Sequence, residues 1–135
     1  MKKISCALLA GLMLSGCASV ELTQPPTDFV GSLPDELKQE FMKLNDIPPE
    51  GSRGEVRTLH FDSDRSLLTI VRQLRSTRWN WNMDQSKLKP QLVEVACENF
   101  GDAMAVGLGV RFWYTGAGGF VSEPVTSEQC TANKS

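Results

Sequence analysis

The stretch Leu67-Leu68-Thr69-Ile70-Val71-Arg72-Gln73-Leu74 decides the fold, because it satisfies two periodicities at once. Leu67, Ile70, Val71 and Leu74 recur at helical spacing, and Asp62 or Asp64 stands where a helix cap would. Leu68, Ile70 and Leu74 also share one face of a strand, interrupted by Arg72. Just upstream, Val56, Thr58 and His60 alternate with Arg57, Leu59 and Phe61, a β pattern, and Asp62-Ser63-Asp64 is a turn signal. Periodicity alone leaves helix and strand both open for 67–74.

The flanks are easier to read. Pro34 suits the first position of a helix, and Asp35 and Glu36 follow where the helix dipole favours negative charge. Leu33, Leu37, Phe41 and Leu44 fall on one face, and Asn45 and Pro48-Pro49 stop the helix. Its narrow apolar stripe predicts a helix that covers something rather than forming a core. Downstream, Trp79-Asn80-Trp81-Asn82 reads as turn or loop. A helix then starts between Asp84 and Pro90, carries Leu88, Leu92, Val93, Val95, Ala96 and Cys97, and ends near Asn99. Met104–Tyr114 reads as a strand, Gly116–Gly119 as a turn and Phe120–Val125 as a second strand. Pro124 argues for an edge position, and the pair for a hairpin.

The chain opens with Lys2 and Lys3, continues with an apolar run from Ile4 to Leu14, and reaches Leu14-Ser15-Gly16-Cys17. This resembles a bacterial lipoprotein signal peptide with its lipobox. Small residues at 15 and 16 admit a peptidase, and the Cys17 thiol takes the lipid. Residues 1–16 are then a removed leader, 17–31 a lipidated tether and 32–135 a single domain. The apolar run is too short to span a bilayer, which needs about 20 residues. Acyl chains on Cys17 would hold the protein in the lipid bilayer. In lipoproteins of this type an aspartate at 18 signals inner-membrane retention, so in a host with two membranes Ala18 favours the outer membrane, periplasmic face.

A mature chain of about 120 residues is one small domain with a modest core, of a size that often needs a staple. Cys6 leaves with the leader and Cys17 carries lipid. Cys97 and Cys130 remain, an even pair in an oxidising compartment, and predict a disulfide. It would close a loop of about 34 residues, worth on the order of 3.5–4 kcal/mol on a chain-entropy basis. The net charge is −2, with acids crowded into 21–50 and basic residues into 53–89. That balance and the compartment argue against nucleic acid as a partner.

No residue pattern points to catalysis, a cofactor or a metal. His60 is the only histidine, and the short run around it does not supply the three roles of a hydrolase triad. Asp62 and Asp64 fall short of the six to eight oxygens calcium takes. The cysteines lack CxxC or zinc spacing, and Gly116–Gly119 lacks the lysine of a phosphate loop. The aromatic residues are the better lead. In the strand 104–114, Phe112 and Tyr114 share one face, Arg111 and Trp113 the other. One set faces away from the core and is either covered by loops or the first helix or left exposed, where aromatics with arginine suit a partner surface.

The order of parts carries a further resemblance. A lipobox and tether lead to a helix introduced by Leu-Pro. Later a helix carries Cys97, the strand Gly107-Leu108-Gly109-Val110-Arg111-Phe112-Trp113-Tyr114 follows, and a last strand runs into Cys130. This resembles the α+β class of type II secretion pilotins, the AspS-like lipoproteins, over most of the mature chain. The resemblance implies a hairpin at 55–76. It implies an α+β fold in α-β-β-α-β-β order, with a small antiparallel sheet of about four strands covered by helices on one face. The implied role is non-enzymatic: a chaperone that binds the C-terminal tail of an outer-membrane secretin subunit and escorts it to the outer membrane. Leu37, Phe41, Leu44 and Trp113 are then candidates for an apolar groove holding a helical tail, and Arg72 and Arg75 for contacts with acids on that tail. The alternative is a structural, envelope-associated lipoprotein with another partner.

Overall fold

Residues 67–74 form a strand, and the reason periodicity fails there is burial on both faces. Leu67, Leu68, Thr69 and Val71 are all buried, so the alternation that marks a half-buried strand is lost. The computed structural model describes residues 22–134, apart from Thr77. Cys17, the leader and the first residues of the tether lie outside the described residues.

Among the described residues, the elements are α1 (Asp35–Met42), a 3₁₀ turn (Lys43–Asp46), β1 (Glu50–Ser52), β2 (Glu55–Asp62) and β3 (Leu67–Leu74). They continue with α2 (Gln85–Ala105), β4 (Gly109–Thr115), β5 (Phe120–Val121) and α3 (Ser127–Lys134). The five strands lie side by side in chain order. The α+β class holds, and so does the hairpin at 55–76. β2 and β3 pair antiparallel from Glu55↔Leu74 to Asp62↔Leu67. At the turn, Asp62 Oδ1 accepts from the N–H of Asp64 at 3.0 Å and of Arg65 at 3.3 Å.

The expected all-antiparallel sheet of about four strands is corrected in two ways. A short fifth strand, β1, pairs with β2 around Gly54, whose φ of 89° suits the tight turn. More consequentially, β3 and β4 run parallel, from Leu67↔Gly109 to Gln73↔Thr115. The cause is the length of α2. Its 21 residues span about 31 Å, enough to carry the chain back along a strand of about 26 Å. β4 therefore begins beside the start of β3, where the Gly109 N–H donates to Ser66 O at 2.9 Å. A parallel pair needs such a crossover.

α2 does not end near Asn99, as its sequence suggests, but runs on to Ala105. Asp84 caps its start by accepting from the Ser86 N–H at 3.0 Å, and Pro90 lies inside the helix, just past its first turn, where its missing N–H removes one helical bond. Gly107, at φ 120°, follows the end of the helix. The expected strand 120–125 shrinks to Phe120–Val121, with Val125 making one further bridge to Val110. Cys130 lies in α3, not at the end of a strand. The helix is announced by Thr126-Ser127-Glu128-Gln129: the Thr126 N–H and hydroxyl both donate to Gln129 Oε1, at 2.6 and 3.0 Å, a relative of the capping box.

Helices cover one face of the sheet. Leu92, Ala96 and Met104 of α2 bury against Leu68, Val110, Phe112 and Tyr114, with Leu37 and Phe41 of α1 and Cys130 of α3 packed on that cluster. The opposite face carries Leu67, Thr69, Val71 and Arg111, all buried. There the segment read as tether has no helix or strand, but its last residues are docked. Arg65 donates to Phe29 O at 3.1 Å, and the Gly31 N–H donates to Arg65 O at 2.8 Å. The Phe29 ring occupies the space a β-carbon on Gly109 would need.

Cys97 and Cys130 are disulfide-bonded, with Cα atoms 5.5 Å apart. The bond joins the middle of α2 to α3, a helix of 8 residues that is too short to persist alone. Replacing both cysteines with serine should lower stability by about 3–4 kcal/mol. Denaturant unfolding of the oxidised protein and of the double variant measures it.

Candidate partner-binding cleft

α1 stands on the sheet through Leu37 and Phe41, and Leu33, just before it, is buried. The Phe41 ring packs 5.5 Å from Phe61 and 6.4 Å from Phe100. Beyond α1, Asn45 fixes the chain to β2, donating to Phe61 O at 3.0 Å and accepting from the Phe61 N–H at 2.7 Å. β1 pairs only with residues 55–57, so Asn45 satisfies backbone groups that an edge would leave open.

Between α1 and the second half of α2 lies an open cleft of about 450 Å³. Leu37 and Phe41 form one wall. Phe100, Ala103 and Val106 form the other, beside Glu98 and Asp102. A second cleft of about 340 Å³ adjoins it and shares Asn99 and Phe100. Ile47 and Val95 line it over Leu59 and Ile70 of the sheet. The two together are rimmed by large apolar side chains left in water: Val106 is 45% exposed, Ile47 51% and Val95 42%.

The residues expected to form one groove are divided. Leu37 and Phe41 line the first cleft, and Leu44 packs partly buried against the core nearby. Arg72 is taken up by the fold. Its guanidinium makes a two-pronged pair with the Glu55 carboxylate and sits 5.6 Å from the centre of the Tyr114 ring. The Glu55 hydrogen bond, opposed by partial burial, raises its pKa. Arg75 lies beyond β3, its N–H bonded to Gly54 O at 3.0 Å and its guanidinium over Gly51. Trp113, half-buried, faces the other side of the sheet, between Val71 and Val121.

Phe100, Asp102 and Val106 were hidden by ending the helix at Asn99. The signal was present: Ala96, Phe100 and Met104 continue the four-residue spacing to Gly107. The tryptophan pair divides as well. Trp81 Nε1 donates to Thr115 O at 2.7 Å and its ring stands edge-on to Tyr114 at 5.0 Å, so it clamps the end of the sheet. Trp79 lies on the surface against Gly54.

The reverse face holds a polar row across three strands, His60, Thr69 and Arg111, in register. Arg111 Nε donates to Thr69 Oγ1 at 2.8 Å. Among the described residues, no three His, Cys, Asp or Glu side chains gather to hold a metal, and no helix is long and apolar enough to cross a membrane.

Burial lowers the His60 pKa below its ordinary 6.5; Asp62 opposes this and Arg111 adds to it. The unfolded chain therefore takes up the proton more readily, so the stability contribution is present above pH 6.5 and is lost as pH falls through the window below. Thermal melts between pH 7.5 and 5.5 should show a larger fall for the wild type than for His60→Gln.

No protein family, curated protein or solved structure matches this chain.

Proposed function

We propose that this chain is an outer-membrane lipoprotein with a pilotin-like role. It binds the C-terminal tail of a secretin subunit and escorts it to the outer membrane, itself held at the periplasmic face by acyl chains on Cys17. The observation that carries this reading is the open cleft between α1 and α2, walled by Leu37, Phe41, Phe100 and Val106. Contiguous apolar surface left in water marks an interaction site. A trough between a short and a long helix suits an amphipathic helix laid alongside. The lipid anchor on the Cys17 reading supplies delivery, and the disulfide fixes α2, one wall of the cleft, to α3.

The test is co-purification of the secretin with the full-length lipoprotein from detergent-solubilised outer membranes. Phe41→Asp places a charge in the wall and should reduce recovery of the secretin at least tenfold. Because Phe41 also touches Phe61, Val106→Asp serves as a second variant on the exposed rim. Undiminished recovery with both variants folded, judged by their melting curves, would remove the cleft as the binding site.

A further inference from the structure

The α1–α2 cleft carries charge of one sign, which bears on what can occupy it. Among the described residues, Glu98 and Asp102 line it, and no lysine or arginine does. Glu94 extends the row one turn back, so three acids recur every four residues along α2, all exposed. Among the described residues, none of the three takes part in an ion pair. The basic residues of α2, Lys87 and Lys89, lie at its other end.

This row is locally unfavourable twice over. Like charges four apart on a helix repel. The carboxyl end of a helix carries partial negative charge and favours lysine or arginine, yet the last turn of α2 has no basic residue and contains Asp102. Among the described residues no ion pair compensates, and a local rule broken without such compensation is expected at functional surfaces. Arg72, which the sequence offers to acids on a partner, is already held by Glu55.

We propose that the segment occupying this cleft is an amphipathic helix whose apolar stripe is flanked by lysine or arginine. Its apolar side chains lie over the touching Phe41 and Phe100 rings, between Leu37 and Val106. Its cations sit beside Glu98 and Asp102, near the negative end of α2. The lining from Cys97 to Val106 runs about 14 Å, room for roughly ten residues of partner helix. This inference rests on the reading of the cleft as the tail-binding site and assigns the charge that tail must carry, opposite in sign to the one Arg72 and Arg75 suggest.

The test uses full-length lipoprotein in detergent and a synthetic peptide of the C-terminal tail of the host's secretin. With the tail bound, Glu98→Lys combined with Asp102→Lys should weaken it tenfold or more. The melting temperature of that variant should stay level or rise, since the acids are unfavourable to the helix. Wild-type affinity should also fall as salt is raised from 50 to 500 mM. Equal binding by the charge-reversed variant would overturn the inference and leave the cleft reading standing. Absence of any tail binding by wild type would remove the tail reading. Two designed amphipathic peptides with one apolar stripe, flanked by lysine or by glutamate, then decide the inference alone. A tenfold preference for the lysine peptide, inverted in the variant, supports it; equal binding overturns it.

Discussion

β4 runs parallel to β3, so the chain must travel the length of the sheet between them, and α2 is that passage. The other elements are placed around this crossover. α2 occupies the middle of one face, burying Leu92, Ala96 and Met104 on β3 and β4. α1 and α3 are left the flanks, and the gap between α1 and the far half of α2 is the cleft. The crossover is pinned where it re-enters the sheet. Ser66, at φ 51°, accepts from the Gly109 N–H through its carbonyl and from the Leu33 N–H through its hydroxyl. One strained residue thus ties the start of β3, the start of β4 and the approach to α1. The left-handed conformation is costly for a residue other than glycine, and such strain persists only where its surroundings impose it.

The two faces of the sheet have different chemistry. The helical face is largely apolar, with the Arg72–Glu55 pair at one end: Tyr114 meets Trp81 edge-on at 5.0 Å and Phe120 face-on at 5.3 Å. The reverse face buries Thr69 and Arg111, and their mutual hydrogen bond lowers the cost of enclosing a cation there. Burial lowers the Arg111 pKa, while the charge of Asp62 supports the ionised form and Arg65 opposes it. Phe29 covers Gly109 on this side, so the residues before α1 belong to the folded unit from about Phe29 onward.

How much of this was legible follows from burial and length. The first helix, the hairpin turn at Asp62 and the disulfide partners could be read because each has a local chemical signature. The 67–74 segment could not, since a strand buried on both faces loses its alternation. The parallel pairing was hidden because it depends on the full length of α2. Gly101 and the β-prone run from Val106 mask that length in the sequence. α3 did have a signature, Thr126 to Gln129, eclipsed by reading Val125 onward as strand. The groove candidates on α1 were accessible from their four-residue spacing. Their partners on α2 were lost with the end of that helix, and Trp113 was drawn in by residue type, although alternation places it on the other face.

On the proposed lipid anchor, a domain with an apolar cleft is suited to holding a segment of another protein at a membrane, and the cleft gives a use to Val106, Ile47 and Val95, which the core leaves exposed. The most direct measurement is site-specific photo-crosslinking in living cells, with the reactive side chain placed at Val106 in the cleft or at Val121 on the reverse face of β5. The expected result is an adduct between the secretin tail and the Val106 position, with none from Val121. Crosslinks to the secretin from Val121 alone, or none from Val106 in a protein shown by fractionation to reach the outer membrane, would contradict the account.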